Sequence, residues 1–248
     1  MGSLATVEGT CICDGWRLHE IPVTASTNLA AAKLPAWEAV RADRQTAGRG
    51  RFQRGWVSDE GGLWLSAVIP TGPNAPALPL AVGLAVCDAL RSIGLKQFRV
   101  RWPNDVLVEN RKLAGLLIDQ FVPGLAVAGI GINVFNHPET HDHGLKNQTA
   151  RLADLIAAPP DLRHLAQIIL SNLQSIVGQI EAHEFTSLLP RINQLWDGPR
   201  RVELDLDGDL HNGTFTGVGE GGELLLLNDS GNKTAYHAYQ VRHLKEID

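Results

Sequence analysis

Cysteine is scarce. Cys11, Cys13 and Cys87 are too few and too odd a number for a disulfide framework, which points to a reducing compartment. Cys11 and Cys13 form a C-x-C pair, but no second pair completes a zinc site. Long apolar runs are also missing, and none approaches the length that spans a bilayer. Met1 to Asp14 has neither a basic start nor a sustained apolar core, so no secretory signal is expected. The chain lacks an excess of positive charge: its formal net charge is −5, which removes the overall electrostatic case for nucleic-acid binding. No G-x-G-x-x-G follows the first strand and no Walker A sequence occurs, so the common nucleotide folds do not compete. What is left is an ordinary globular composition, 44% apolar and 20% charged over 248 residues. That length suits one large domain, or a large and a small one, expected to be soluble and cytoplasmic.

Against this background the stretch Gln45 to Trp56, Q-T-A-G-R-G-R-F-Q-R-G-W, organises the chain. It sets Arg49, Arg51 and Arg54 among glycines, with no acidic residue and Phe52 as its long apolar side chain. Glycine lets a ligand lie against the main chain. Arginine supplies a permanently charged fork that matches phosphate or carboxylate oxygens. On an acidic protein, such a cluster points to a small anionic ligand, and the loop is expected to be mobile until that anion arrives. A solvated arginine-rich turn is the plainer alternative.

The flanking elements follow from pattern. Met1 to Asp14 reads as a poorly anchored lead-in. Trp16 to Ile21 is a strand ended by Pro22, and Leu29 to Leu34 is a short helix with Ser26 or Thr27 as its N-cap. Trp37 to Ala42 is a strand feeding the arginine loop, and Gly62 to Ile69 a strand buried on both faces. Leu80 to Ile93 has helical spacing. Phe98 to Trp102, Val106 to Glu109 and Lys112 to Gln120 read as strands, the last two a β-hairpin. In the strand Leu125 to Val134, Val127, Gly129, Gly131 and Asn133 share one face, as if something must lie close to the sheet. His137, His141 and His143 fall in a polar segment better read as a surface loop than as a metal site. Thr149 to Trp196 is helical, with its longest helix from Asp161 to Glu181. Beyond Asp197-Gly198-Pro199, short strands with turn signals argue a small barrel. There Asp205, Asp207 and Asp209 suit a hairpin tip better than a calcium loop.

Two further segments join the arginine loop: Arg101-Trp102-Pro103-Asn104-Asp105 and Arg111-Lys112-Leu113-Ala114-Gly115. Both sit on adjacent strands of the hairpin and converge on one end of the sheet. Ser26-Thr27-Asn28, Q-T-A-G-R-G-R, R-W-P-N-D, R-K-L-A-G and G-I-G-I-N-V, in this order, resemble the biotin protein ligase family over most of residues 16 to 135. The resemblance implies an α+β fold: a mixed, largely antiparallel sheet with helices mainly on one face, like class II aminoacyl-tRNA synthetases. It also implies a C-terminal SH3-like barrel, with residues 1–197 catalytic and 198–248 the barrel. The implied reaction joins biotin and MgATP into biotinyl-5′-AMP, then passes biotin to one lysine of a biotin carboxyl carrier protein, typically of acetyl-CoA carboxylase.

By family match, Ser26, Thr27, Asn28, Gln45, Arg49, Gly50, Arg51, Lys112 and Gly115 bind biotin. Arg51, Arg54, Trp56, Asn104, Asp105, Lys112 and Asn133 bind ATP and the adenylate. Lys112, Arg51 and Arg54 carry the chemistry, and Asp105 is a candidate helper for Mg²⁺ held mainly by the triphosphate. Departures are Phe52-Gln53, where the family often has an Arg-Gly pair, and Arg101, where lysine is usual. The N-terminal winged helix-turn-helix of family repressors is not expected, since Ser26 comes too early. DNA and membrane partners are therefore not expected, and the protein would be a monomer or homodimer. Rival readings are a lipoate or octanoate protein ligase and a non-catalytic biotin-binding regulator.

Overall fold

The computed structural model describes residues 9–71, 75–181 and 185–247. Strands β1 (Gly9–Cys13), β2 (Trp16–Thr24) and β3 (Glu38–Gln45) come first, with helix α1 (Thr27–Ala31) between β2 and β3. Then follow β4 (Leu63–Pro70), helix α2 (Leu78–Ser92), β5 (Arg99–Arg101), β6 (Asp105–Val108), β7 (Arg111–Val122) and β8 (Leu125–Ile132). These strands form one sheet in the order β1-β2-β3-β4-β8-β7-β6-β5. Among the described residues, every neighbouring pair is antiparallel except β2 and β3. Helices α3 (Leu162–Glu181) and α4 (Phe185–Asn193) lead to strands β9 (Arg200–Leu206), β10 (Asp209–Val218), β11 (Leu224–Leu227), β12 (Lys233–Tyr236) and β13 (His243–Glu246). The last five make a second sheet, in the order β12-β11-β10-β9-β13.

Side-chain alternation assigns the faces of the large sheet. Leu63, Leu65, Ala67 and Ile69 of β4 enter the main core with Leu84, Val86 and Leu90 of α2 and Leu165, Ile169 and Leu173 of α3. Val68 of β4 points the other way, into a smaller cluster with Ile21, Ala31, Val40, Ala42 and Val127 beneath α1. A strand buried on both faces reads as a continuous apolar run, as the sequence of β4 does. Helix α2 is apolar almost all round because it lies between α3 and the sheet. The stretch Ala75–Ser92 is therefore long and apolar enough by composition to cross a membrane, a length the sequence reading did not credit, yet most of it is buried inside the protein.

The C-terminal sheet closes against the β5 edge. Arg99, 8% exposed, pairs with both Glu246 oxygens at 2.6 and 2.5 Å and also donates to Asn110. Trp196 meets Phe215 edge-on at 5.4 Å, so the end of the helical segment packs against β10.

Several sequence expectations are corrected. Part of the lead-in is a strand, β1, paired with β2; residues 1–8 lie outside the described residues. Strand β2 runs through Pro22 to Thr24, because β1 pairs no further than Glu20 and the missing N–H interrupts no ladder on that side. Ser26 holds the N-cap position of α1 but makes no side-chain cap bond. Residues 149–161 form an isolated bridge at Thr149, one 3-10 turn at Leu152–Asp154 and irregular chain rather than α-helix. β13, which sequence reasoning did not identify, closes the second sheet against β9. The Asp207-Gly208 turn, by contrast, is the hairpin tip that was expected, with the Gly208 N–H donating to Asp205 Oδ1 at 2.7 Å.

Candidate active site

The face opposite the main core carries the site. Along β8, Gly129 and Gly131 lie on this face, and Gly115 of β7 pairs with Gly131. A Cβ on Gly129 would sit 2.3 Å from Asn28 Oδ1, and one on Gly131 2.8 Å from Trp56 Nε1. A Cβ on Gly115 would come within 2.9 Å of the Trp56 ring. The glycines are thus a bed on which α1 and the arginine loop rest, as their shared face suggested.

Between this bed and the loop is a cavity of about 270 Å³. Every site residue inferred from sequence borders it. Ser26, Thr27, Asn28 and Gln45 line one end; Arg49, Gly50, Arg51, Arg54 and Trp56 come from the loop; Asn104, Asp105, Lys112, Gly115 and Asn133 come from the sheet and its turns. Among the lining residues that sequence reasoning missed are Val241, Arg242, His243 and Leu244, at the start of and just before β13.

The closed end is a continuous polar chain. Ser26, Thr27 and Asn28 are 3–4% exposed and Ser66 is fully buried. Asn28 Nδ2 donates to Asp119 Oδ2 at 2.8 Å and more weakly to the Leu117 carbonyl at 3.4 Å. The Ser66 hydroxyl lies 2.6 Å from Asn28 Oδ1 and 2.7 Å from Thr27 Oγ1. Gln45 Oε1 accepts from the Thr27 N–H at 2.8 Å, while Gln45 Nε2 donates to Ser58 Oγ at 2.9 Å. Ser58 in turn donates to the Trp56 carbonyl at 3.0 Å. The Thr27 hydroxyl, one of the two expected to cap α1, is therefore used across strands. Ser58, Ser66 and Asp119 carried no sequence signal, being an ordinary serine or aspartate on a strand or loop.

The open side is cationic. Arg49, Arg51, Arg54, Arg101, Lys112 and Arg242 line it, and Asp105 is the one carboxylate among the lining residues. Asp105 is 13% exposed and holds Lys112 Nζ at 2.7 Å and Arg101 Nη2 at 2.8 Å. Burial by itself would raise its carboxyl, but Lys112 and Arg101 outweigh that and hold it below the usual carboxylate range. Lys112 Nζ also lies 4.8 Å from the Trp56 ring centroid, a cation–π contact. Asn104 and Asn133 each give an N–H to backbone, to Leu116 O at 2.7 Å and Lys112 O at 3.4 Å, so both brace the strands that present Asp105 and Lys112. Arg49 Nε and Trp56 Nε1 are buried donors without a hydrogen-bond partner among the described residues.

The arginine loop is not free-standing, as its composition suggested it would be. It forms a short turn, Arg51–Gln53, in which Phe52 and Gln53 have positive φ of 55° and 59°. Gln53 occupies the place where the family often has glycine, which takes this conformation without strain. Arg51 Nη2 donates to the Ala238 and Val241 carbonyls at 2.5 and 3.0 Å, and Arg54 Nη2 to the Arg242 carbonyl at 3.4 Å. The Phe52 ring sits between the Arg51 and Arg242 guanidinium groups, 4.8 and 4.6 Å from its centroid. Arg242 is held from behind by Asp207. Burial lowers the Arg51 pKa, an effect that Asp105 partly offsets. His243 is likewise pushed down by burial, and further by Arg54 and Arg101. The histidine loop holds no metal cluster among the described residues; His141 pairs with Asp59 at 3.2 Å.

The Biotin/lipoate A/B protein ligase family model matches residues 20–134. The chain is 34% identical to a biotin–[acetyl-CoA-carboxylase] ligase of Mycobacterium tuberculosis, with 93% of this chain and 91% of the relative covered. It is 31% identical to the bifunctional ligase/repressor BirA of Bacillus subtilis over 85% of this chain and 67% of that protein. In structure it resembles the biotin protein ligase of Aquifex aeolicus in complex with biotin and ATP, with a TM-score of 0.83 at 27% identity. That match covers 93% of this chain and 99% of the other. The chain belongs to the biotin protein ligase family.

Proposed function

We propose that the chain activates biotin with MgATP to biotinyl-5′-AMP and transfers the biotinyl group to a lysine of a biotin carboxyl carrier protein. The observation that carries this reading is one cavity with two chemically opposite ends, a neutral hydrogen-bonding end and a cationic side. Biotin has a neutral ureido ring at one end and a carboxylate at the other. Seating the ring among Thr27, Asn28 and Gln45 directs its carboxylate toward Lys112 and the loop arginines.

The reaction needs two anions to meet. A carboxylate oxygen attacks the α-phosphorus of ATP, a P–O bond forms, and pyrophosphate leaves with the bridging electron pair. Lys112, Arg51 and Arg54 offset the repulsion and stabilise charge that develops at phosphorus; removing one such contact typically costs about 3 kcal/mol of barrier. Asp105 orients Lys112 rather than competing for it. With its oxygens engaged by Lys112 and Arg101, Asp105 is poorly disposed to hold Mg²⁺, which the triphosphate would carry as part of the substrate. The unpartnered Trp56 and Arg49 donors are available to the bound adenylate. In the second step a neutral lysine amine attacks the acyl carbonyl and AMP leaves. Excluding water matters throughout, because the mixed anhydride hydrolyses. The acetyl-CoA carboxylase named for the mycobacterial relative makes the carrier segment of a biotin-dependent carboxylase the acceptor to test.

Pyrophosphate release tests the reading. Biotin with MgATP gives release and lipoate does not, and added carrier yields AMP with a biotinylated lysine. Release with lipoate alone would move the chain to the lipoyl branch of the matched family. Biotin binding without pyrophosphate would make it a sensor instead.

A further inference from the structure

The cationic side of the cavity helps one half of the reaction and hinders the other. In the first step it gathers anions. In the second, an amine nitrogen becomes a cation among Arg54, Arg101, Lys112 and Arg242, all of which line the cavity. Resting on the ligase reading, we propose that His243, on β13 of the C-terminal sheet, is the catalytic residue that takes the proton of this new ammonium and passes it to water.

Few of the lining side chains can accept a proton. The arginines stay protonated, and Lys112, an ammonium with donors alone, faces Asp105 at 2.7 Å. Asp105 has its other oxygen on Arg101 at 2.8 Å, and the two cations hold it below the usual carboxylate range, which makes it a poor base. His243 remains. Its imidazole has no hydrogen-bond partner among the described residues, so one ring nitrogen keeps a free lone pair. On β13, Leu244 packs against the main core, while His243 pairs with Asp205 of β9 and lies on the other face of the strand. His243 is exposed yet borders the cavity, so it stands at the rim, where an acceptor lysine of a second protein must arrive and a proton can leave. Charged groups face it from three elements: Arg54 from the arginine loop, Arg101 from β5, and Asp205 and Glu203 from β9. Partial burial, then Arg54 and Arg101, push its pKa below the ordinary 6.5 against the pull of the two carboxylates, which leaves the imidazole neutral near pH 7. The same arginines acidify the new ammonium, so the proton still moves toward the imidazole.

The step balances. The acceptor amine attacks the acyl carbon, a C–N bond forms, and the carbonyl pair moves onto oxygen. A proton of the resulting ammonium goes to the free ring nitrogen of His243. The carbonyl re-forms as the C–O bond to phosphate breaks, and AMP leaves with that pair. The imidazolium then releases its proton to water.

Single-turnover transfer from chemically prepared biotinyl-5′-AMP to the carrier segment of a biotin-dependent carboxylase isolates the second step, and pyrophosphate release reads the first. In His243→Gln at about pH 8, transfer falls about thirtyfold, short of the roughly hundredfold typical of a well-placed base because water shares the task of an exposed one. Adenylate formation falls no more than about threefold, since His243 takes no proton in that step. Ionisation of the acceptor lysine affects both proteins alike, so the ratio of wild-type to variant rates isolates the imidazole. That ratio is constant above about pH 7 and falls toward one as the imidazole becomes protonated below 6.5. In His243→Ala, added imidazole restores transfer in proportion to its neutral form, which a merely structural role would not permit. Undiminished transfer in His243→Gln, a ratio indifferent to pH, equal loss in both steps, or a loss that imidazole does not restore overturns the proposal and leaves the proton to Asp105 or the adenylate phosphate. Wild-type protein that forms no adenylate from biotin and MgATP sinks the ligase reading itself. The proposal alone fails when the wild type completes both steps and His243→Gln keeps pace with it.

Discussion

The two ends of the cavity are held in different ways. At the closed end, Thr27, Asn28, Gln45, Ser58 and Ser66 fix one another through short hydrogen bonds between buried or half-buried groups anchored to α1, β3, β4 and the segment just before β4. At the open side, the arginine loop is held by carbonyls of the C-terminal segment and by Phe52 lying between two guanidinium groups. Buried, mutually satisfied hydrogen bonds are costly to break, whereas half-exposed cation–π contacts contribute about 0.5–1 kcal/mol each. The closed end, proposed to seat the ring, is therefore formed without a ligand.

Substitutions on each side should separate the two. The largest effect is expected for Lys112→Ala, which removes the ammonium proposed to face the reacting phosphate. Adenylate formation, followed as pyrophosphate release, should fall roughly a hundredfold to a thousandfold, while biotin affinity, set mainly at the other end, changes far less. Full activity would mean that another cation does this work.

Asp105→Asn should come next. It leaves Lys112 and Arg101, 28% and 33% exposed, without their shared counter-ion, at a cost of roughly 1–3 kcal/mol after allowance for solvent screening. The sign with pH follows from the lowered carboxyl. Its stabilisation is present above the ordinary value of 3.8 and is lost as pH falls through the lowered folded value. Urea midpoints of wild type and variant should differ at neutral pH and converge below about pH 4. A gap that stays constant with pH would show that the carboxylate's charge is not what matters.

The smallest effect belongs to Phe52→Leu, which keeps apolar volume but removes the π faces. Without ligand, trypsin should cut at the loop arginines a few times faster, and biotin affinity should stay close to that of wild type. Cleavage at the wild-type rate would mean that the carbonyl bonds of Arg51 alone hold the loop.

The same contrast explains what the sequence could reveal. The strand Leu63–Pro70, the helix Leu78–Ser92 and the glycine row of β8 were legible because burial leaves a period or an apolar run. The motif residues were legible because arginines among glycines, or a lysine beside R-W-P-N-D, have few alternative uses. Their supports were not. Ser66 looks like any polar interruption of a strand, and Asp119 like a solvent-facing carboxylate. Ala238 and Val241 act through their carbonyls, which side-chain identity does not report. Those partners lie as much as 190 residues away along the chain, as Arg51 and Val241 do, so only the folded sheet order brings them together. Phe52 looked like a departure from pattern, and the fold gives it a task between Arg51 and Arg242.

A structure of the protein with a non-hydrolysable analogue of biotinyl-5′-AMP would test the central claim most directly. The ureido ring should lie among Thr27, Asn28 and Gln45, with the phosphate within hydrogen-bonding distance of Lys112 and a loop arginine. An adenylate bound the other way round, or a phosphate out of reach of Lys112, would contradict the account.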